Sequence, residues 1–122
     1  MNRILVVDDA ATVRMYHRSV LEGAGYVVEE AANGIEALEK ALCSPFDFYL
    51  VDVNMPKLNG YGFLRELRCQ DIPQAPALMI STESADMDRM QAYEAGANFF
   101  LVKPVKPEEL VAYCRLFLGG AK

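Results

Sequence analysis

Arg3-Ile4-Leu5-Val6-Val7-Asp8-Asp9 is the stretch on which the fold turns. Four aliphatic residues in a row are too few for a helix and lack the alternation of a half-exposed strand. They read as a strand buried on both faces, and the two acids mark where it leaves the core. Four later runs have the same character, at residues 26–30, 48–53, 77–80 and 98–102, the first of these being the most polar. Between them, apolar residues recur at helical spacing. Residues 11–22 carry Val13, Tyr16, Val20 and Leu21 and stop at Gly23-Ala24-Gly25. Asn33-Gly34 opens a helix bearing Ile35, Ala37, Leu38, Ala41 and Leu42. Residues 62–69 and 85–95 supply two more, and Pro107 starts a fifth that ends before Gly119-Gly120. Strict strand–helix alternation predicts an α/β fold, a doubly wound five-stranded parallel sheet with right-handed crossovers and five helices over both faces. Periodicity leaves the strand order open.

At 122 residues the chain suits a single domain spanning 1–122, and it ends just past the last helix, so no attached output domain is expected. Its net charge of −5 repels phosphodiester backbones, which argues against a direct nucleic-acid partner. No apolar run approaches the ~20 residues that span a bilayer, so no membrane insertion is expected. Asp8 and Asp9 stand where a signal peptide needs an apolar core. Cys43, Cys69 and Cys114 are odd in number and far apart, the pattern of reduced, buried or half-buried thiols rather than of disulfides or a zinc site. A cytoplasmic location is the expectation.

Ligands of such sheets bind beyond the carboxyl ends of the strands. The first run finishes on Asp8 and Asp9, the third on Asp52, the fourth on Ser81 and the fifth on Lys103. The second finishes on Glu30 and Ala31, which reads as ordinary solvent exposure. One acid at a strand end commonly caps the next helix; the convergence of all these groups on one edge is what points to chemistry. Three carboxylates in one pocket repel one another and must take up protons or hold a cation. Oxygen donors without a nearby His or Cys favour a hard ion, Mg²⁺ before Ca²⁺. Such a cation would neutralise a phosphoryl donor and let Asp52 attack phosphorus in line, with Lys103 and Ser81 holding phosphoryl oxygens.

The ordered set Asp8-Asp9, Asp52-Val53-Asn54-Met55-Pro56 with Gly60, Ser81, and Lys103-Pro104 resembles the receiver domain of two-component response regulators, from Asn2 to about Leu118. Asn54, two positions past Asp52, and the run Ser81-Thr82-Glu83-Ser84 make it most like the stand-alone CheY type of chemotaxis. The resemblance implies the flavodoxin-like strand order 2-1-3-4-5. It implies that Asp52 takes a phosphoryl group from a sensor histidine kinase of the CheA-like kind. Asp9 and Asp52 would ligate Mg²⁺ directly, Asp8 through water and Asn54 through its backbone carbonyl. Lys103 would pair with the phosphoryl group ahead of a cis peptide to Pro104, and the Ser81 hydroxyl would swing toward it. Phe100 takes the aromatic switch position, where Tyr is usual, so an inward rotamer is expected without a phenolic hydrogen bond to a target. Asn54, Thr82 and Glu83 would tune the phosphoryl lifetime. Output would pass by protein–protein contact on the fourth helix, fifth strand and last helix to an unknown target such as the flagellar motor switch. The protein would act as a monomer or a phosphorylation-dependent dimer, and not as a turnover enzyme.

Two other functions share part of this pattern. An aspartyl-phosphate phosphatase of the haloacid dehalogenase kind needs an acid where Asn54 stands, and a cap domain. A phosphate shuttle or sink in a phosphorelay would use every residue above. A nucleotide-binding domain is disfavoured because no G-x-G-x-x-G follows the first strand. His17, the only histidine, stands near Arg14 and Arg18 and reads as a solvated surface side chain. Met87, Met90 and Tyr93 fit either a partner surface or a half-core. Gly34, Gly60 and Gly96 read as turn formers or left-handed caps.

Overall fold

Each apolar run becomes a strand, and the runs lie parallel because a helix returns the chain between every two of them. A computed structural model describes residues 2–82 and 86–118, excluding the side chains at 86 and 87. The elements follow as β1 (Arg3–Val7), α1 (Ala11–Gly23), β2 (Val27–Ala31), α2 (Gly34–Cys43) and β3 (Phe48–Asp52). Then come α3 (Gly60–Arg68), β4 (Ala77–Ser81), α4 (Asp86–Ala95), β5 (Phe99–Val102) and α5 (Pro107–Leu118). The sheet order is β2-β1-β3-β4-β5.

Strand alternation divides the core in two. Leu5, Val7, Tyr49, Val51, Met79 and Phe100 face one side, where α2, α3 and α4 contribute Ala37, Ala41, Phe63, Leu64, Leu67, Ala92 and Ala95. Ile4, Val6, Phe48, Leu50, Leu78 and Ile80 face the other, covered by Leu21 of α1 and by Leu110 and Cys114 of α5. Both faces of the central strands are therefore dry, as their unbroken apolar runs require.

Helix ends follow their local chemistry. The Asn33 side chain accepts from the Glu36 amide at 2.9 Å, and Glu36 Oε1 accepts in return from the Ala32 amide at 2.6 Å, a reciprocal cap. Asn59 accepts from the Gly62 amide at 2.9 Å and so starts α3 at Gly60, two residues earlier than the apolar spacing indicates. Gly96 does have a positive φ, of 115°, and ends α4. Gly34 and Gly60 do not; they are required by close approach. A Cβ on Gly34 would stand 2.2 Å from the Leu58 carbonyl oxygen, and one on Gly60 would stand 2.5 Å from that of Asp52. The β3–α3 loop is thereby pressed against the end of β3. The left-handed residue of that loop is Lys57, at φ 69°.

Candidate functional site

Register builds the site. Val7 pairs with Ala31 and with Val51, Asp52 pairs with Ile80, and Ser81 pairs with Val102. The strands therefore stop nearly in line, and the next residues, Asp8 and Lys103 among them, emerge on one edge despite lying 95 positions apart. Carboxylate oxygens of Asp8, Asp9 and Asp52 come within 4.8 Å of one another, Asp8 and Asp52 buried and Asp9 exposed. The Lys103 ammonium reaches into this cluster, 2.9 Å from Asp52 Oδ1 and 3.3 Å from Asp8 Oδ2. The peptide between Lys103 and Pro104 is cis.

Burial pushes the Asp52 carboxyl above its ordinary range; the hydrogen bond from Lys103 opposes this, and the neighbouring Asp8 adds to it. Burial alone would lower the Lys103 ammonium, but the hydrogen bond and charge of Asp52, with Asp8 behind, outweigh it and raise it. One cation thus faces three acids, so with all three ionised two negative charges are left without a counter-charge in a largely water-excluded corner. A small divalent ion with hard oxygen ligands fits this donor set, Asp9 offering the open side. Chemically, the corner can hold a cation and an anionic group together against a carboxylate.

Ser81 is fully buried at the end of β4, and its carbonyl accepts from the Lys103 amide at 2.7 Å. Thr82 and Asn54 are exposed at the rim, while Glu83 lies outside the described residues. Phe100 is buried, 1% exposed. The Arg89 guanidinium lies 5.2 Å from its ring centre and donates to the Phe100 carbonyl at 3.2 Å. On the face expected for output, Met90, Tyr93 and Leu116 are exposed, so Met90 and Tyr93 are not half-core residues; the Met87 side chain lies outside the described residues. Phe99 stacks edge-on against Tyr113 and Phe117.

Three features depart from the sequence reading. Glu30 is not ordinary solvent exposure. It accepts from Arg14 Nε at 2.9 Å and from Arg18 Nη1 at 2.9 Å, and those hydrogen bonds hold its carboxyl below the usual range. Arg14 in turn donates through Nη1 to the backbone carbonyl of Asp8 at 2.7 Å. His17 is buried rather than solvated, 4% exposed, while Tyr16 is exposed. Val13, His17 and Leu21 fall at i, i+4 and i+8, a spacing that would have placed the imidazole on the inner stripe. Its Nδ1 has no hydrogen-bond partner among the described residues, and burial lowers its pKa. His17 also lines a cleft of about 330 Å³ with Thr12, Val13, Tyr16 and the segment from Lys103 to Val105. Finally, only Cys114 is buried, its thiol pushed up to about 12 by burial; Cys43 and Cys69 are exposed.

No described helix is long and apolar enough to cross a membrane. Residues 4–115 match the response regulator receiver domain. The chain is 36% identical to the transcriptional regulatory protein ResD of Bacillus subtilis, over 98% of the chain and 49% of the relative. It is 38% identical to the CpxR homolog of Haemophilus influenzae, a transcriptional regulatory protein, over 97% of the chain and 51% of the relative. The chain thus spans about half the length of these curated relatives. Among solved structures, chemotaxis protein CheY4 of Vibrio cholerae superposes with a TM-score of 0.91 at 39% identity, covering 97% of this chain and 99% of that one.

Proposed function

The chain belongs to the response regulator receiver domain family of two-component signalling, and from that premise we propose that Asp52 is the phosphoryl acceptor of a Mg²⁺-dependent switch. The observation that carries the reading is the Lys103 ammonium set between Asp52 and Asp8 inside a cluster of three carboxylates. An acceptor must be ionised to attack; burial raises the Asp52 carboxyl, and the hydrogen bond from Lys103 opposes that shift.

In the proposed step an Asp52 carboxylate oxygen attacks the phosphorus of a phosphohistidine on a sensor kinase. The P–N bond breaks, and the imidazole leaves with its electron pair and takes a proton. A bound Mg²⁺, held by Asp9 and Asp52 directly, by Asp8 through water and by the Asn54 carbonyl, would neutralise charge on the transferred group. Lys103 then exchanges one carboxylate partner for a phosphoryl oxygen, and the Ser81 hydroxyl turns toward another. Movement at Ser81 reaches Phe100 and α4, shifting a pre-existing equilibrium on the α4–β5–α5 face. Receiver domains interact with histidine kinases and downstream targets. For this chain the proposal is a CheA-like kinase and a protein target of the chemotaxis kind, reached in the cytoplasm by protein–protein contact, as monomer or phosphorylation-dependent dimer. Beyond modifying its own Asp52 and slowly releasing the phosphate, it would not turn over substrate. Thr82, exposed beside Ser81, would slow that release by crowding water.

Incubation with Mg²⁺ and acetyl phosphate tests the central claim. Mass spectrometry should show one added phosphoryl group, lost in Asp52→Asn and after chelation of magnesium. Labelling that persists in Asp52→Asn overturns it. Thr82→Ala should release phosphate faster than the parent chain.

A further inference from the structure

Asp8 and Asp9 are adjacent in sequence but held very differently. The Asp8 amide donates to the Ala31 carbonyl at 3.1 Å, and its Oδ1 accepts from the Ala10 amide at 2.9 Å. Its Oδ2 accepts from Lys103 at 3.3 Å. The Asp9 carboxylate is exposed and makes no hydrogen bond or ion pair among the described residues. What aims it is therefore the backbone from which it projects. The plane of the Asp8–Asp9 peptide is rigid, and its carbonyl is the one that Arg14 Nη1 holds at 2.7 Å.

Arg14 is itself fixed. Its Nε donates to Glu30 Oε1, Glu30 Oε2 accepts from Arg18, and Arg18 Nε donates to Glu22 at 2.9 Å. The Glu30 carbonyl accepts from the Lys40 ammonium at 2.6 Å, tying β2 to α2. A chain of alternating charges thus runs from α1 across the end of β2 and terminates on the peptide that joins the two acids. With Glu30 and Glu22 matching Arg14 and Arg18, the chain carries no net charge toward the pocket.

We infer that Arg14 is a positioning residue for the acidic corner: by fixing the Asp8–Asp9 peptide it aims the Asp9 carboxylate at the metal position. The inference rests on the reading of Asp8, Asp9 and Asp52 as a Mg²⁺ site. Its sign separates it from plain electrostatics. Removing a cation from beside a divalent-ion site should strengthen Mg²⁺ binding if charge were the whole of its effect. Losing a positioning contact should weaken it, on the order of tenfold, as for other groups that orient metal ligands.

The test is calorimetric titration of Mg²⁺ into the full chain, wild type and Arg14→Ala, with Arg14→Gln as the neutral variant that keeps an N–H donor. Arg14→Ala should bind Mg²⁺ about tenfold more weakly, and Arg14→Gln should recover part of the loss. Labelling by acetyl phosphate should need more Mg²⁺ in Arg14→Ala yet reach a near-normal maximal rate at saturation, whereas general loosening of the fold would lower both. If Arg14→Ala does not fold, Arg14→Met, which keeps the aliphatic stem, is titrated instead with the same outcomes. Wild type that binds Mg²⁺ with the Ala or Met variant equal or tighter overturns the assignment alone. Wild type that binds no Mg²⁺ sinks the metal reading and this inference with it.

Discussion

On the β1 side of the pocket, Asp8 is held at its amide, its carbonyl and both carboxylate oxygens, by Ala31, Arg14, Ala10 and Lys103. On the β4 side the support is lighter. The described side chains that α4 sets into the core are Ala92 and Ala95, and its polar links include Arg89 to the Phe100 carbonyl and the Tyr61 hydroxyl to the Asp88 carbonyl. By contrast α1 buries Leu21, and α3 buries Phe63, Leu64 and Leu67. Anchoring scales with apolar area removed from water, and a methyl group removes little. The corner that holds charge is preorganised, while the helix beside buried Phe100 is, by its described side chains, more lightly anchored. Such a division suits a domain that does chemistry at one end of an edge and reports it from the other.

Four substitutions bear on this contrast. The largest effect is expected from Leu21→Ala, which empties the anchor of α1 and should cost roughly 2–5 kcal/mol in urea unfolding. Lys103→Met should cost roughly 1–3 kcal/mol, moderated because Lys103 is 21% exposed. It should also send the Asp52 titration, followed by NMR, to still higher pH. A carboxyl raised in the fold stabilises it least once ionised, so this variant should lose more stability at neutral pH than at pH 4. Ala92→Gly in α4 should cost about 1 kcal/mol and speed hydrogen exchange within α4 more than elsewhere. A loss as large as that of Leu21→Ala would erase the contrast. The smallest change is a gain. His17→Leu removes the unpartnered Nδ1 and should add roughly 1 kcal/mol at pH 7. Because His17 has a lowered pKa in the fold, the unfolded chain takes the proton first. Wild-type stability should therefore fall relative to His17→Leu as pH drops below the ordinary value of 6.5.

Much of the architecture was legible from runs and punctuation. The strands were found to within a residue or so because buried parallel strands need unbroken apolar runs, and Asn33 and Pro107 announced helix starts by their own chemistry. The start of α3 is not legible in this way because Asn59 and Gly60 carry no hydrophobic signal; a cap and a close backbone approach set it. His17 reads as a surface residue by its type, whereas its place between Val13 and Leu21 on one helical stripe buries it. Glu30 carries no such signal, because an acid at a strand end looks the same in sequence whether solvated or gripped by two arginines.

The sequence by itself determined the βα alternation and the strand-end residues Asp8, Asp9, Asp52, Ser81 and Lys103, since burial period and residue chemistry are properties of neighbours along the chain. Only the tertiary structure decided which of them touch, which acid is buried and which exposed, and that Arg14 and Glu30 reach the same corner. Those are matters of register and helix placement between segments far apart in sequence. Lys103 meets Asp8 across 95 positions only because β1 and β5 end at one level. Arg14 meets the Asp8 carbonyl only because α1 turns back over the strand it has just left.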